Sequence, residues 1–138
     1  MTNLSKVLIV DDEPHVLSYV SMLLRATLGE LKTIEARTAE EAIALFTREK
    51  PDLVLLDLNL IGTTGFEALR AIIQIDPDAA VVVLSSINTR RSVEQAVRDG
   101  ASGYLLKELP QEKLAVALKD LVDQLFGDDE ISDAPETP

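Results

Sequence analysis

"KVLIVDDEPHV", residues 6–16, is the stretch whose reading decides the fold. Val7–Val10 form a continuous apolar run, and Asp11, Asp12 and Glu13 follow at once. A short run of this kind, rich in β-branched residues, reads as a strand covered on both faces. Pro14 then suits the first turn of a helix, with Asp12 as its possible cap. Val16, Val20, Leu23 and Leu24 continue at helical spacing. A strand that delivers adjacent carboxylates is electrostatically unfavourable. Two like charges about 4 Å apart repel by roughly 4 kcal/mol near a protein surface. Another group must offset that repulsion, and a bound cation is the expected one.

The same alternation continues outward. Leu53–Leu56 and Ala80–Leu84 are further apolar runs, and Lys32–Ala36 and Gly103–Leu106 are weaker strand candidates. Helical periods lie between and after them: Ala42, Leu45 and Phe46; Phe66, Leu69, Ile72 and Ile73; Val93, Ala96 and Val97; Leu114, Leu118, Leu121 and Leu125. Thr38 followed by Glu41 reads as a capping box, and Gly100 as a helix stop. Five strand–helix pairs imply right-handed crossovers and a doubly wound parallel α/β sheet. No glycine-rich dinucleotide turn, nucleotide phosphate loop or internal repeat is present.

Composition narrows the function classes. The 138 residues are 46% apolar, enough for one domain with a single core. Without cysteine there is no disulfide or thiolate metal site. The net charge is −11, and residues 127–138 hold five acids and no base. The first 126 residues carry 19 acids against 13 bases. A phosphate backbone would repel both parts, so direct nucleic-acid binding by this chain is not expected. The acidic excess otherwise serves solubility. Residues 1–126 read as the domain, and 127–138 as a disordered tail or the start of an interdomain linker. No apolar run is long enough to cross a bilayer and no signal peptide pattern is evident, so a soluble, cytoplasmic protein is expected.

The polar residues that end the strands carry the chemistry. Asp11 and Asp12 follow Val10, Asp57 follows Leu56, Ser85 and Ser86 follow Leu84, and Lys107 follows Leu106. In a parallel sheet these ends point one way, and ligands bind outside them where the strand order reverses. If the first and third strands are neighbours, Asp11, Asp12 and Asp57 share one small volume. Its donors are all oxygens, which suits a hard divalent cation, with Mg²⁺ the natural choice. Asp57 beside such an ion is a candidate nucleophile toward a phosphoryl group. Lys107 would place a point charge on a phosphate oxygen, and Ser85 would donate a hydrogen bond. Singly, each has an ordinary explanation: a cap, a turn or a surface lysine. Their coincidence at the same end of successive strands carries the reading.

The stretches "VLIVDDEP", "PDLVLLDLNLIGTTGFEALR", "VVVLSS" and "DGASGYLLK" resemble the receiver domain of two-component response regulators, over about residues 5–126. "YLLKELPQEKL" is similar to receivers joined to a LuxR/NarL-type DNA-binding domain. The resemblance implies a flavodoxin-like, five-stranded parallel sheet in the order 2-1-3-4-5. It implies that Asp57 accepts a phosphoryl group from a sensor histidine kinase or phosphotransfer protein. Asp12 and Asp57 would bind Mg²⁺ by side chain, Asn59 by its backbone carbonyl, and Asp11 through metal-bound water. Ser85 takes the hydroxyl switch position, with Ser86 beside it, and Lys107 takes the family lysine position. Tyr104 takes the aromatic switch position, turning inward when phosphate draws Ser85 away. The surface of the fourth helix, fifth strand and fifth helix would then bind a partner or a second copy, making a homodimer. The implied role is a switch and not an enzyme, with transcription the output through a DNA-binding domain absent from this chain.

Some positions depart from the usual pattern. Ile61 stands where proline is frequent, so a less rigid loop is expected. Ser86 replaces a frequent alanine. Glu108 follows Lys107 where a cis proline is common; a cis bond without proline costs about 3–4 kcal/mol, so trans is expected. His15, the only histidine, reads as an exposed first-turn residue, and Arg90 and Arg91 as a solvated helix start. Two other functions compete. One is a stand-alone receiver acting by protein–protein binding. The other is a phosphohydrolase of the haloacid dehalogenase kind, whose aspartate nucleophile normally follows the first strand with a second Asp two residues on. Here Asn59 stands two residues after Asp57.

Overall fold

The computed structural model describes residues 4–127. Seven strands and five helices follow along the described chain: β1 Lys6–Val10, α1 Pro14–Leu28, β2 Lys32–Ala36, α2 Ala39–Glu49, β3 Leu53–Leu56, β4 Asn59–Leu60, β5 Thr63–Thr64, α3 Gly65–Ile75, β6 Val81–Ser85, α4 Arg90–Arg98, β7 Gly103–Leu106 and α5 Gln111–Phe126. Five strands form one sheet in the order β2-β1-β3-β6-β7, every pair parallel. Counting only the strands of that sheet, this is the expected order 2-1-3-4-5. The expected tail from residue 128 onward lies outside the described residues.

The central strands β1, β3 and β6 are buried on both faces, which is why they read as unbroken apolar runs. Alternate residues still divide between the faces. Leu8, Val10, Val54, Leu56, Val81 and Val83 pack with α2, α3 and α4 residues, among them Ala42, Phe46, Leu69, Ile72 and Ala96. Val7, Ile9, Leu53, Leu55, Val82 and Leu84 pack with Leu17, Leu24, Leu114 and Leu118 from α1 and α5. The contribution of α4 is small: Ala96 is its one buried residue.

Local signals held in part. Pro14 opens α1, but its N-cap residue is Glu13 and no side chain caps it. Asp12 is therefore not the cap; the Asp11 carboxylate accepts the Glu13 N–H instead. Thr38 caps α2 by accepting the Glu41 N–H at 3.1 Å. The Glu41 carboxylate reaches past the cap residue to the Arg37 N–H, so only half of the capping box forms. Gly100, with φ of 107°, follows the end of α4. The fourth long strand lies one residue later than expected, at Val81–Ser85, which puts Ser85 within it. No peptide bond among the described residues is cis, in line with the expectation for Lys107–Glu108.

After Asp57, in place of an open loop, the chain forms an antiparallel ribbon that pairs Asn59 with Thr64 and Leu60 with Thr63. Gly62 supplies the positive φ, 84°, that a tight two-residue turn requires. Ile61 at the tip is 68% exposed.

Candidate functional site

The neighbours of β1 are β2 on one side and β3 on the other, so the strand order reverses between β1 and β3. The crevice for ligands lies outside their carboxyl ends. Register places the acids there: Val10 pairs with Ala36 and with Leu56, so Asp11 and Asp57 leave adjacent strands at the same level. The Asp57 N–H donates to Val10 and the Asp11 N–H to Ala36, each at 3.0 Å. Asp11, Asp12 and Asp57 each bring a carboxylate oxygen within 4.8 Å of the others. Asp11 and Asp57 are buried; Asp12 is half-buried.

Lys107 arrives from the end of β7. Its ammonium donates to Asp11 Oδ2 at 2.8 Å and to Asp57 Oδ2 at 3.1 Å. This amends the expectation that a bound cation is the group that offsets the acids. One protein cation already bridges two of them, and the third carboxylate leaves a negative surplus. The remaining oxygens are also held: Asp11 Oδ1 accepts the Glu13 N–H at 3.0 Å, and Asp57 Oδ1 the Asn59 N–H at 3.2 Å. Asp12 makes no side-chain hydrogen bond among the described residues.

Burial pushes the Asp57 carboxyl above its ordinary value of 3.8; Lys107 and the Asn59 N–H pull the other way, and the Asp11 charge adds to the rise. Burial works to lower the Lys107 ammonium, but its bond to Asp11 and the charges of Asp57 and Asp11 outweigh it, and the net direction is up. The cluster therefore retains a charged lysine among acids that repel one another. All donors in reach of a metal are hard oxygens, and three carboxylates exceed one ammonium, so the residues present fit a small divalent cation.

Ser85 is fully buried, and its hydroxyl accepts the Ile87 N–H at 3.1 Å. The backbone continues the link, since the Lys107 N–H donates to the Ser85 carbonyl at 2.8 Å. Tyr104 is half-buried, and its hydroxyl donates to the Ile87 carbonyl at 2.5 Å. Burial raises its phenol; the neighbouring Ser85 hydroxyl opposes that rise and the Asp57 charge adds to it. Ser85, Ile87 and Tyr104 thus form one connected group beside the acids. Ser86 and Asn59 are exposed at the rim. His15, Arg90 and Arg91 are exposed too, and Arg90 pairs with Glu94 on its own helix.

Two contributors escape sequence reasoning. Gly65 opens α3 directly against Asp57, and a Cβ there would collide with the Asp57 carbonyl oxygen. The glycine in "GTTG" was the available signal. The other is the Asn59 N–H, a backbone donor that no residue type announces.

Comparison with known proteins now decides the family, since the response regulator receiver domain profile matches residues 7–119. The chain belongs to the response regulator receiver domain family. This receiver domain is 36% identical over 112 residues to the nitrate/nitrite response regulator protein NarL of Escherichia coli (strain K12), covering 81% of this chain and 52% of that protein. It is 29% identical over 116 residues to the chemotaxis protein CheY of Thermotoga maritima, covering 82% of this chain and 93% of that protein. A two-component response regulator of the LuxR family from Aurantimonas sp. SI85-9A1 superposes with a TM-score of 0.81 at 30% identity, covering 88% of this chain and 87% of that one. The receiver domain spans about half the length of the NarL-type relatives it matches. Members of the family are signalling switches that interact with histidine kinases or phosphotransfer proteins, and the NarL/LuxR type is among those this chain is similar to. No helix among the described residues is long and apolar enough to cross a membrane.

Proposed function

We propose that this receiver domain is a phosphoacceptor switch in which Asp57 takes a phosphoryl group from the phosphohistidine of a sensor kinase or phosphotransfer protein. The observation that supports this best is the gathering of Asp11, Asp12, Asp57 and Lys107 at the reversal of strand order. An Asp57 oxygen attacks phosphorus, the phosphorus–nitrogen bond breaks, and the imidazole leaves with its electron pair and takes up a proton. Asp12 and Asp57, with the Asn59 carbonyl, would hold Mg²⁺, and Asp11 would act through its water. Mg²⁺ supplies charge neutralisation at the phosphoryl oxygens. Lys107 keeps its charge on Asp11 and faces one of those oxygens. Ser85 exchanges its acceptor role toward Ile87 for a donor role toward phosphate, with Ser86 beside it at the rim. Because Tyr104 is tied to Ile87, that exchange is felt by the aromatic ring and by the face of α4, β7 and α5. Phosphate shifts this equilibrium only by its differential interaction with the two arrangements.

The domain is proposed to end with α5 at Phe126, with residues 127–138 a tail or the start of an interdomain linker. The output is proposed to be transcription, through a DNA-binding domain outside this chain, because the NarL-type relatives are about twice as long. A stand-alone receiver is the second reading, favoured by the match across 93% of the Thermotoga CheY. Exposed Val97 and Val116 sit on α4 and α5, where a partner or a second copy would bind. The site assignment is tested by mass spectrometry after incubation with acetyl phosphate and Mg²⁺. One phosphoryl group should add to the protein and none to Asp57→Asn. An undiminished mass shift in that variant would move the acceptor elsewhere.

A further inference from the structure

The acidic loop after β1 is tied down at several points, and one tie comes from a residue that belongs to neither the acidic cluster nor the core. Arg37 Nη2 donates to the Asp12 carbonyl oxygen at 3.2 Å. Arg37 directly follows β2, and its side chain is exposed. Its backbone is anchored from the other side: the Arg37 N–H donates to Glu41 Oε1 at 2.7 Å, and the Glu41 N–H to Thr38 Oγ1 at 3.1 Å. The first turn of α2 thus fixes Arg37, and Arg37 fixes the peptide on which Asp12 stands. Among the three acids, Asp12 is the one whose carboxylate has no hydrogen bond among the described residues. Its place beside the other two therefore rests on where its backbone is held, whereas lysine and N–H donors also aim Asp11 and Asp57.

The geometry points to Arg37 as a positioning residue for divalent-cation binding, clamping the Asp12 carbonyl so that the Asp12 carboxylate faces Asp11 and Asp57. This rests on the magnesium reading above. Arg37 does not touch the ion. Its charge opposes a cation, and it lies inside the roughly 10 Å screening length, so the clamp acts against that opposition. A planar guanidinium holds a fixed direction that a lysine ammonium on a flexible stem does not.

Isothermal titration of MgCl₂ into the full 138-residue chain separates the two effects, with thermal melting in EDTA as the control. The unaltered protein should take up magnesium. Arg37→Lys keeps the charge and loses the fork; Arg37→Ala loses both. Arg37→Lys should bind magnesium about fivefold more weakly, the size of one ordinary hydrogen bond, and Arg37→Ala should be weakened less, because it also loses an opposing charge. Both should melt in EDTA only slightly below the unaltered protein, as expected for one exposed hydrogen bond lost. Wild-type affinity in Arg37→Lys with tighter binding in Arg37→Ala would show that charge alone acts and would overturn the clamp. Unchanged affinity in both variants would overturn it as well. If the unaltered protein takes up no magnesium, the magnesium reading fails first and the clamp with it, an outcome distinct from the other two.

Discussion

The two ends of the sheet hold the same residue types in opposite electrical circumstances. At the amino end Glu49 meets three cations, Arg48 at 3.2 Å, Lys6 at 3.4 Å and Lys32 at 3.8 Å. Asp52 accepts hydrogen bonds from the Ser5 N–H, the Ser5 hydroxyl and the Lys6 N–H, all at 3.0 Å. Both carboxyls are held below their ordinary values. For Glu49 the Arg48 hydrogen bond is the main cause, and for Asp52 burial is outweighed by the Ser5 and Lys6 donors. At the carboxyl end three carboxylates stand together while one lysine bridges two of them, and Asp57 is pushed up. Acidic residues alone therefore do not mark a site. The mark is a surplus of them that the protein's own donors do not absorb, which is the condition for recruiting something from outside.

The strongest way to break this comparison is Lys107→Ala. It leaves Asp11 and Asp57 buried without their counter-charge, and removing one partner of a buried pair costs about 3–5 kcal/mol. Urea unfolding in EDTA should show that loss, and added magnesium should recover part of it. A negligible loss would mean the carboxyl end is no more strained than the amino end. A smaller effect of opposite sign is expected for Asp57→Asn. Because the folded-state value of Asp57 is raised, its charge destabilises the fold at neutral pH, and that penalty fades as pH falls through the raised value toward 3.8. The variant should unfold at higher urea than wild type at pH 7 in EDTA, and the advantage should vanish below pH 3.8. The smallest effect belongs to Glu49→Gln. Its pairs are solvent-washed, and such pairs contribute little, so its unfolding midpoint should match wild type. A clear drop there would show the amino end to be more than a settled surface.

Much of the fold was legible because its signals are local. Continuous apolar runs announced β1, β3 and β6, and Lys32–Ala36 and Gly103–Leu106 matched their strands residue for residue. The gathering of Asp11, Asp12 and Asp57 followed from the strand-end argument once topology was assumed. The rest depends on contacts between distant residues or on the backbone. Lys107 reaches Asp11 across 96 positions of sequence, and no pattern within a window shows that an ammonium will bridge two acids instead of waiting for a phosphate. Asp12 has the residue type and place of a helix cap, yet it does not cap α1, because the chain enters the helix through Glu13 instead. The β4–β5 ribbon escaped notice because two-residue strands have no period to detect.

The shallow seating of α4 has a consequence for how a signal leaves the site. Of the residues of α4 only Ala96 is buried, whereas α3 buries Ala68, Leu69 and Ile72. Displacing α4 therefore draws on far less free energy, and thermal fluctuation visits such displacements most often. In the switch proposed above, a partner docking on that face would need only a modest share of its contact energy to hold a shifted α4.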